Sequence, residues 1–246
     1  MDLLLSVATS PNPNNDMRRD LTPGIRVVVV LGSTATGKTA LAISLAEAFE
    51  GEVINADSRY LYRGMDIGTA KPSEQERSSI PHHLIDIRDP HEPYSLGTFL
   101  SDAYGVIEDV AKRGRLPIVA GGTPQYLRAM IEGWTVPEVE PDWALREALE
   151  QEAAPTLFER LQNIDPVTAA RADPANKRRL IRAIEVYERT GRPMSEVAGQ
   201  SPPPYRFFIV GLQQDRAILY SRIDRRVREM YAAGWLDEVQ RLRERG

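Results

Sequence analysis

Apolar residues recur along this chain in two rhythms: short β-branched runs, and longer stretches in which they return every three or four positions. Arg26 to Leu31 (RVVVVL) is a run without alternation, the mark of a central parallel strand covered on both faces. It leads straight into a glycine-rich loop. Thr39 to Phe49 (TALAISLAEAF) then has helical spacing, and Glu52 to Ala56 (EVINA) makes a second short strand. Ser95 to Arg113 reads as a helix and Leu116 to Ala120 (LPIVA) as a buried strand that ends in Gly121 and Gly122. Strands alternating with helices predict an α/β fold, a parallel sheet with helices on both faces.

Beyond Gly133 the rhythm changes. TVPEVEPDW is a proline-bearing connector, and the next seventy or so residues carry helical patterns without a convincing strand. A helical insertion over 134–203 is expected, with segments near Ala144 to Glu152, Pro155 to Asn163, Pro166 to Arg171 and Ala175 to Thr190. The last stops at Gly191 and Pro193, as helix ends do. After SPPPY, Phe207 to Leu212 (FFIVGL) returns as a strand, followed by helices from Asp215 to Ala233 and from Trp235. The α/β core is therefore split between 25–133 and 204–246. Residues 1–24 are polar and turn-rich and are read as a disordered tail.

With 246 residues, 42% of them apolar, the chain can bury a substantial core. Having no cysteine, it excludes disulfides, thiolate-bound zinc, iron–sulfur clusters and thiol nucleophiles, as suits a reducing cytoplasm. The apolar run Val27 to Leu31 is far below the roughly 20 residues needed to cross a bilayer, and Asp2 stands where a secretory leader would carry basic residues. A cytoplasmic protein without a membrane partner is expected, working as a monomer. The net charge of −4 conceals an asymmetry: residues 1–170 hold 25 acidic against 15 basic side chains, residues 171–246 hold 10 against 16. A basic C-terminal part suits a polyanion partner, although arginine-rich helices can equally be plain solvated surface.

Gly32 to Thr39, GSTATGKT, satisfies G-x-x-x-x-G-K-[ST] between a strand and a helix, where backbone N–H groups converge on phosphate oxygens. Gly32 and Gly37 allow the tight turn, Ser33, Thr34, Ala35 and Thr36 supply the loop backbone, Lys38 brings a mobile charge, and the Thr39 hydroxyl can ligate Mg²⁺. Kinases, ATPases and GTPases share this loop, so the neighbouring strand ends must discriminate. Asp57, after the strand at Glu52 to Ala56, and Thr123, after Gly121 and Gly122, should line the same crevice. A lone Asp there could also be a turn or cap carboxylate. Leu116 to Ala120 has no acidic residue at its end, which removes the usual magnesium carboxylate of a hydrolytic NTPase.

Taken with GSTATGKT, the segments INADSRYLYRGMDIGTAKP (Ile54 to Pro72), IPHHLIDI (Ile80 to Ile87), LPIVAGGTPQYLRAM (Leu116 to Met130) and NKRRLIRAIEVYERTGRP (Asn176 to Pro193) closely resemble the tRNA dimethylallyltransferase family. The resemblance implies a P-loop NTPase-like parallel sheet flanked by helices, with a helical insertion domain that helps bind tRNA. It implies transfer of a dimethylallyl group from dimethylallyl diphosphate to N6 of the adenosine 3′ of the anticodon, in tRNAs reading codons that begin with U. The phosphate loop, Gly32 to Thr39, would then hold the diphosphate leaving group with Mg²⁺ at Thr39. Asp57 aligns with the family's base, Lys38 and Arg226 with groups that stabilise diphosphate, and Thr123 with a residue beside the transfer site. The tRNA anticodon stem-loop would meet Asp57, Ser58, Arg59 and Tyr60, Thr123, Arg146, and Arg178, Arg179, Leu180, Ile181 and Arg182. Helical spacing supports Arg226: Leu219, Ile223, Val227 and Met230 form an apolar stripe that it borders, with Arg228 opposite and Arg225 directed to solvent or RNA. His82 and His83 lack a third ligand and are assigned to structure.

Ser33 and Thr36 depart from the family's usual Pro and Ser but are small, so phosphate binding should persist. Members of the family continue with more helix past GWLDEV, whereas this sequence ends at Gly246, so some tRNA contacts are expected to be absent. Three other readings stay open at this level: an isopentenyltransferase acting on free adenylate, a P-loop small-molecule kinase with Asp57 as base, and an RNA-binding protein without catalysis.

Overall fold

The structure, a computed structural model, describes residues 4–9 and 24–245, the first of these segments by its backbone alone. The strands are β1 (Leu4–Thr9), β2 (Ile25–Gly32), β3 (Gly51–Asn55), β4 (His82–His83), β5 (Leu116–Ala120), β6 (Trp134–Thr135), β7 (Gly199–Gln200) and β8 (Tyr205–Gln213). The helices are α1 (Lys38–Ala48), α2 (Glu74–Ser78), α3 (Leu96–Lys112), α4 (Pro124–Glu132), α5 (Trp143–Gln151), α6 (Ala154–Ile164), α7 (Pro166–Ala169), α8 (Lys177–Thr190), α9 (Met194–Val197), α10 (Arg216–Ala232) and α11 (Trp235–Glu244). Two compact units result, Met1–Ile131 with Pro203–Gly246, and Glu132–Pro202.

The first unit is built on a six-stranded sheet of order β1-β8-β2-β5-β3-β4. β8, β2, β5, β3 and β4 run parallel, and β1 pairs antiparallel with the outer side of β8. β1 corrects the expected tail over 1–24. The polar residues around it lower the average of that stretch, but Leu4–Thr9 is mostly apolar and meets the open hydrogen-bonding edge of β8. The rest of that tail, residues 1–3 and 10–23, lies outside the described residues.

The β-branched runs are buried on both faces because helices cover both. Val30, Val53 and Ile118 pack with Ala42 and Ala46 of α1. The alternate positions Val27, Val29, Ile54 and Val119, also buried, point the other way by the two-residue pleat. That face is left to α3, which buries Phe99, Leu100, Ala103, Ile107 and Val110 and begins at a Ser95 cap whose Oγ accepts from Thr98 N–H. The second unit is a helical cluster. Leu180, Ile181, Ala183 and Ile184 of α8 close on Leu157 and Leu161 of α6 and Leu149 of α5. Its only strands among the described residues are the two-residue pair β6 and β7.

Each unit carries a buried carboxylate. Glu52 is held by the Arg113 guanidinium and by His83 Nε2 at 2.7 Å, with Arg115 at 3.5 Å. Arg113, against the cost of burial and with help from His83, brings its pKa down from 4.5 to about 2. In the second unit burial pushes Glu185 upward, but hydrogen bonds from Arg146 and Arg182 outweigh it and again leave the pKa at about 2. Both values lie below the unfolded-state value. The stabilisation is therefore present above about pH 5 and lost as pH falls towards 2. Thermal unfolding across that window should show a steep drop in Tm, and E52Q should flatten its share of it.

Candidate active site

Because β2, β3, β5 and β8 are parallel, their carboxyl ends share one edge, and the sequence at each end decides which side chain is delivered there. After β2 comes the phosphate loop. A Cβ at Gly32 would lie 2.7 Å from the Leu212 carbonyl oxygen and 2.9 Å from Thr36 Oγ1, so only glycine lets the loop turn this close to β8. Gly37, at φ 95°, opens α1 in the left-handed conformation. Thr36 is buried and its hydroxyl donates to the Ser33 carbonyl at 2.8 Å, bracing the turn from within. The first N–H groups of α1 have no partner inside the helix and are disposed to meet an anion. Lys38 Nζ donates to the Gly32 and Ser33 carbonyls at 3.0 and 2.9 Å. Burial lowers its pKa, the Asp57 carboxylate opposes that shift and Arg226 adds to it, so all three charges act within one field.

After β3 comes Asp57, set in place by its neighbours. Buried Asn55 accepts from Asp57 N–H at 2.8 Å and donates to the Asp57 and Leu84 carbonyls at 2.9 and 2.8 Å. One carboxylate oxygen of Asp57 accepts from Arg59 N–H at 3.0 Å, the turn role open to any such Asp. The other lies where Gly122 leaves room: a Cβ there would be 2.8 Å from Oδ2. At Gly121 a Cβ would fall 2.1 Å from the Ala56 carbonyl carbon. The Gly-Gly pair, which in the sequence merely ends a strand, thus admits Asp57 and β3 against β5. Thr123 ties the same ends together, its Oγ1 accepting from Ser58 N–H at 2.9 Å and donating to Ser58 Oγ at 3.2 Å. Tyr60 donates to the Ala70 carbonyl at 2.9 Å. Burial and then Asp57 push its hydroxyl up to about 12, so it stays protonated. Arg59 is exposed.

After β8 comes α10, whose Asp215 cap accepts from Ala217 N–H at 2.8 Å. No residue of α10 is fully buried. Its covered side is Leu219, Arg222, Ile223, Arg226 and Met230, while Val227 is exposed, a correction to the expected stripe. Arg225 and Arg228 are exposed, Arg225 pairing with Glu229 at 3.5 Å. Arg222, not singled out from sequence, donates to the Ala35 carbonyl at 3.3 Å. The sequence does hold a signal for it, four residues before Arg226 on the same helix face.

The remaining site residues lie in the helical unit. Arg178 and Arg179 are exposed in the first turn of α8. Leu180 and Ile181 are not on that surface: they are 0% and 5% exposed in the core of the unit, which corrects their assignment to tRNA. Arg146 grips Glu185 through Nε and Nη2, both at 2.7 Å, and lies over the exposed Trp143 ring at 5.2 Å. Arg182 donates to Glu185 at 2.6 Å and to the Val139 carbonyl at 3.1 Å. His82 and His83 serve structure, Nδ1 of the first lying 2.8 Å from the Ile80 carbonyl. Among the described residues no group of three or more His, Asp or Glu could cage a metal. A cation at the loop would take most of its oxygens from phosphate and water, a habit that suits Mg²⁺ and the hard donor of Thr39.

Comparison with known proteins gives this geometry its context. The family model described as IPP transferase matches residues 60–246, and that described as Isopentenyl transferase matches 25–92. The tRNA dimethylallyltransferase of Thermomicrobium roseum is 54% identical over 89% of this chain and 68% of its own, and that of a Roseiflexus species 53% identical over 90% and 74%. Among solved structures, a eukaryotic dimethylallyltransferase acting on tRNA is similar with a TM-score of 0.75 at 33% identity, over 89% of this chain and 56% of that one. The full-length tRNA isopentenylpyrophosphate transferase of Bacillus halodurans gives 0.62 at 40% identity, over 90% and 71%. Among the described residues, no helix is long and apolar enough to cross a membrane. With the IPP transferase model spanning most of the chain, and the phosphate loop, Asp57 and the α10 arginines all on one sheet edge, the chain belongs to the IPP transferase family, that of the tRNA dimethylallyltransferases.

Proposed function

We propose that this protein transfers a dimethylallyl group from dimethylallyl diphosphate to the exocyclic amine of an adenosine beside the anticodon of tRNA. The observation that carries this is a phosphate loop with no acidic residue at the end of β5, where a nucleotide hydrolase would hold its magnesium. In its place stand Gly121, Gly122 and Thr123, which open the crevice to Asp57. Such a site holds an anion on one side and a proton acceptor on the other.

The chemistry rests on that separation. The allylic C–O bond breaks as negative charge grows on the departing diphosphate, where the loop N–H groups, Lys38, Arg222 and Arg226 can stabilise it. Thr39 would hold Mg²⁺, which when bound adds further neutralisation of the leaving group. The adenine N6 forms the new C–N bond and its proton becomes acidic as it does so. Asp57 Oδ2, over Gly122, is positioned to take it. Tyr60 and Thr123 fix the segment that carries Asp57. In the helical unit Arg178 and Arg179 are suited to tRNA phosphates, with Arg146 and Arg182 presented on a Glu185 support.

Incubation with labelled dimethylallyl diphosphate, Mg²⁺ and either unmodified tRNA or AMP tests this. Label should appear in tRNA alone. Label in AMP but not tRNA would replace this reading by the free-nucleotide one, and phosphorylation of a small molecule by ATP would replace it by the kinase.

A further inference from the structure

Glu238 is a carboxylate only 4% exposed, on a helix that buries no other residue fully, and no step of the proposed transfer uses it. It sits in the first turn of α11 and accepts from three successive backbone N–H groups, Asp66 and Ile67 on Oε2 at 2.9 and 2.7 Å and Gly68 on Oε1 at 3.0 Å. Three consecutive amides converging on one anion form a nest, and each bond is charge-assisted. The fit extends to the first residue of the helix: the Trp235 indole lies so close to Gly68 that a Cβ there would be 2.1 Å from Nε1.

The nest belongs to a stiff arch. Buried Lys71 donates to Asp66 at 2.6 Å, to Asp86 at 2.5 Å and to the Tyr62 carbonyl at 2.7 Å, and Arg77 completes Asp86 at 3.0 Å. Tyr60 holds the Ala70 carbonyl, so the arch is continuous with the segment that presents Asp57. α10 has the opposite character. It buries no residue fully, it reaches the phosphate loop through the Arg222 bond to Ala35, and it joins α11 through Gly234 at φ 92°. Helix α10 is thus held by the Asp215 cap after β8, by the Arg222 bond to the loop and, at its far end, by the docking of α11.

We propose that Glu238, with Trp235 beside it, is the latch that holds the arginine-bearing helix α10 over the phosphate loop, and is therefore a positioning residue for Arg226. The inference deepens the prenyl-transfer reading and rests on it for the identity of the substrate. A neutral Gln keeps the size of the side chain but has one acceptor oxygen and turns an N–H₂ towards the nest, loosening the latch without emptying it. Displacing charged groups by an ångström costs about 10²-fold.

The test is a double-mutant cycle on the full chain, E238Q against R226A, read as kcat and KM for dimethylallyl diphosphate, KM for tRNA, and pyrophosphate affinity by calorimetry with Mg²⁺. E238Q should weaken pyrophosphate binding and kcat/KM for the diphosphate by about 10- to 100-fold, leave KM for tRNA within about threefold, and have a clearly smaller effect once Arg226 is gone, the remainder acting through Arg222 on the same helix. Losses that multiply on the R226A background, or E238Q at wild-type pyrophosphate affinity, overturn the latch. Should E238Q fail to fold, G68A takes its place, since its methyl displaces Trp235 while leaving the carboxylate intact, and the same coupling to Arg226 is required. If the wild-type protein transfers no label to tRNA, the prenyl-transfer reading fails, while the pyrophosphate cycle still decides the latch.

Discussion

Replacing Asp57 by Asn is expected to lower single-turnover prenyl transfer by about 10²- to 10⁴-fold, the range that a positioned general base contributes. Pyrophosphate affinity should stay within about threefold of wild type. The reason is the division of the site. The anion-holding groups come after β2 and β8, whereas Asp57 comes after β3 and reaches the crevice over Gly122. The amide keeps the Arg59 N–H bond at 3.0 Å available, so the turn should survive and the lost function is the proton acceptor. A D57N protein that transfers at an undiminished rate would remove Asp57 from the chemistry. One that loses pyrophosphate binding equally would make it a structural carboxylate. G122A offers a complementary route, since its Cβ would press on Oδ2 and move the carboxylate without changing its charge.

The parts of this site that are legible in the sequence share one property: their information is contiguous. GSTATGKT announces its turn through residues that touch one another, and the strand ends at Asp57 and Thr123 come from a β-branched run meeting glycine or a polar residue. Glu238 leaves no such trace. Its partners are backbone N–H groups some 170 positions away, and amides carry no side-chain signature. Helix α4, not singled out from sequence, is nonetheless legible in the pattern: Pro124 is a favoured first residue, and Tyr126, Leu127, Ala129 and Met130, all buried, recur at helical spacing. Leu180 and Ile181 share one block with their arginine neighbours in the family resemblance, although helical period turns them inward. The charge asymmetry also shifts meaning. A division at residue 170 cuts through the helical unit, which over 132–202 holds 13 acidic against 9 basic side chains. The positive charge of the unit is thus not spread over it. It is concentrated on α8, where Lys177, Arg178, Arg179, Arg182 and Arg189 stand against Glu185 and Glu188.

That concentration makes Glu185→Ala the second large effect. Glu185 is fully buried and holds Arg146 by two bonds, Arg182 by one, and the Asp142 N–H at the start of α5 by another at 2.8 Å. Removing one partner of a buried pair typically costs 3–5 kcal/mol because the other charge is left uncompensated. Both guanidiniums here keep part of their surface in water, 29% and 28% of the side chain, so the lower end, about 3 kcal/mol, is expected from denaturant unfolding. The same substitution frees Arg146 from its fixed place over Trp143 and Arg182 from the Val139 carbonyl. tRNA affinity should therefore fall together with stability, while KM for dimethylallyl diphosphate should not move, because the phosphate loop belongs to the other unit. Arg178 and Arg179 should behave differently. Each is exposed at the start of α8, and substitution to Ala should leave stability nearly unchanged while lowering the salt dependence of tRNA binding by about one counterion. If E185A kept full tRNA affinity, Arg146 and Arg182 would be acting as internal braces alone, with Arg178 and Arg179 left to carry the contact of α8 with RNA.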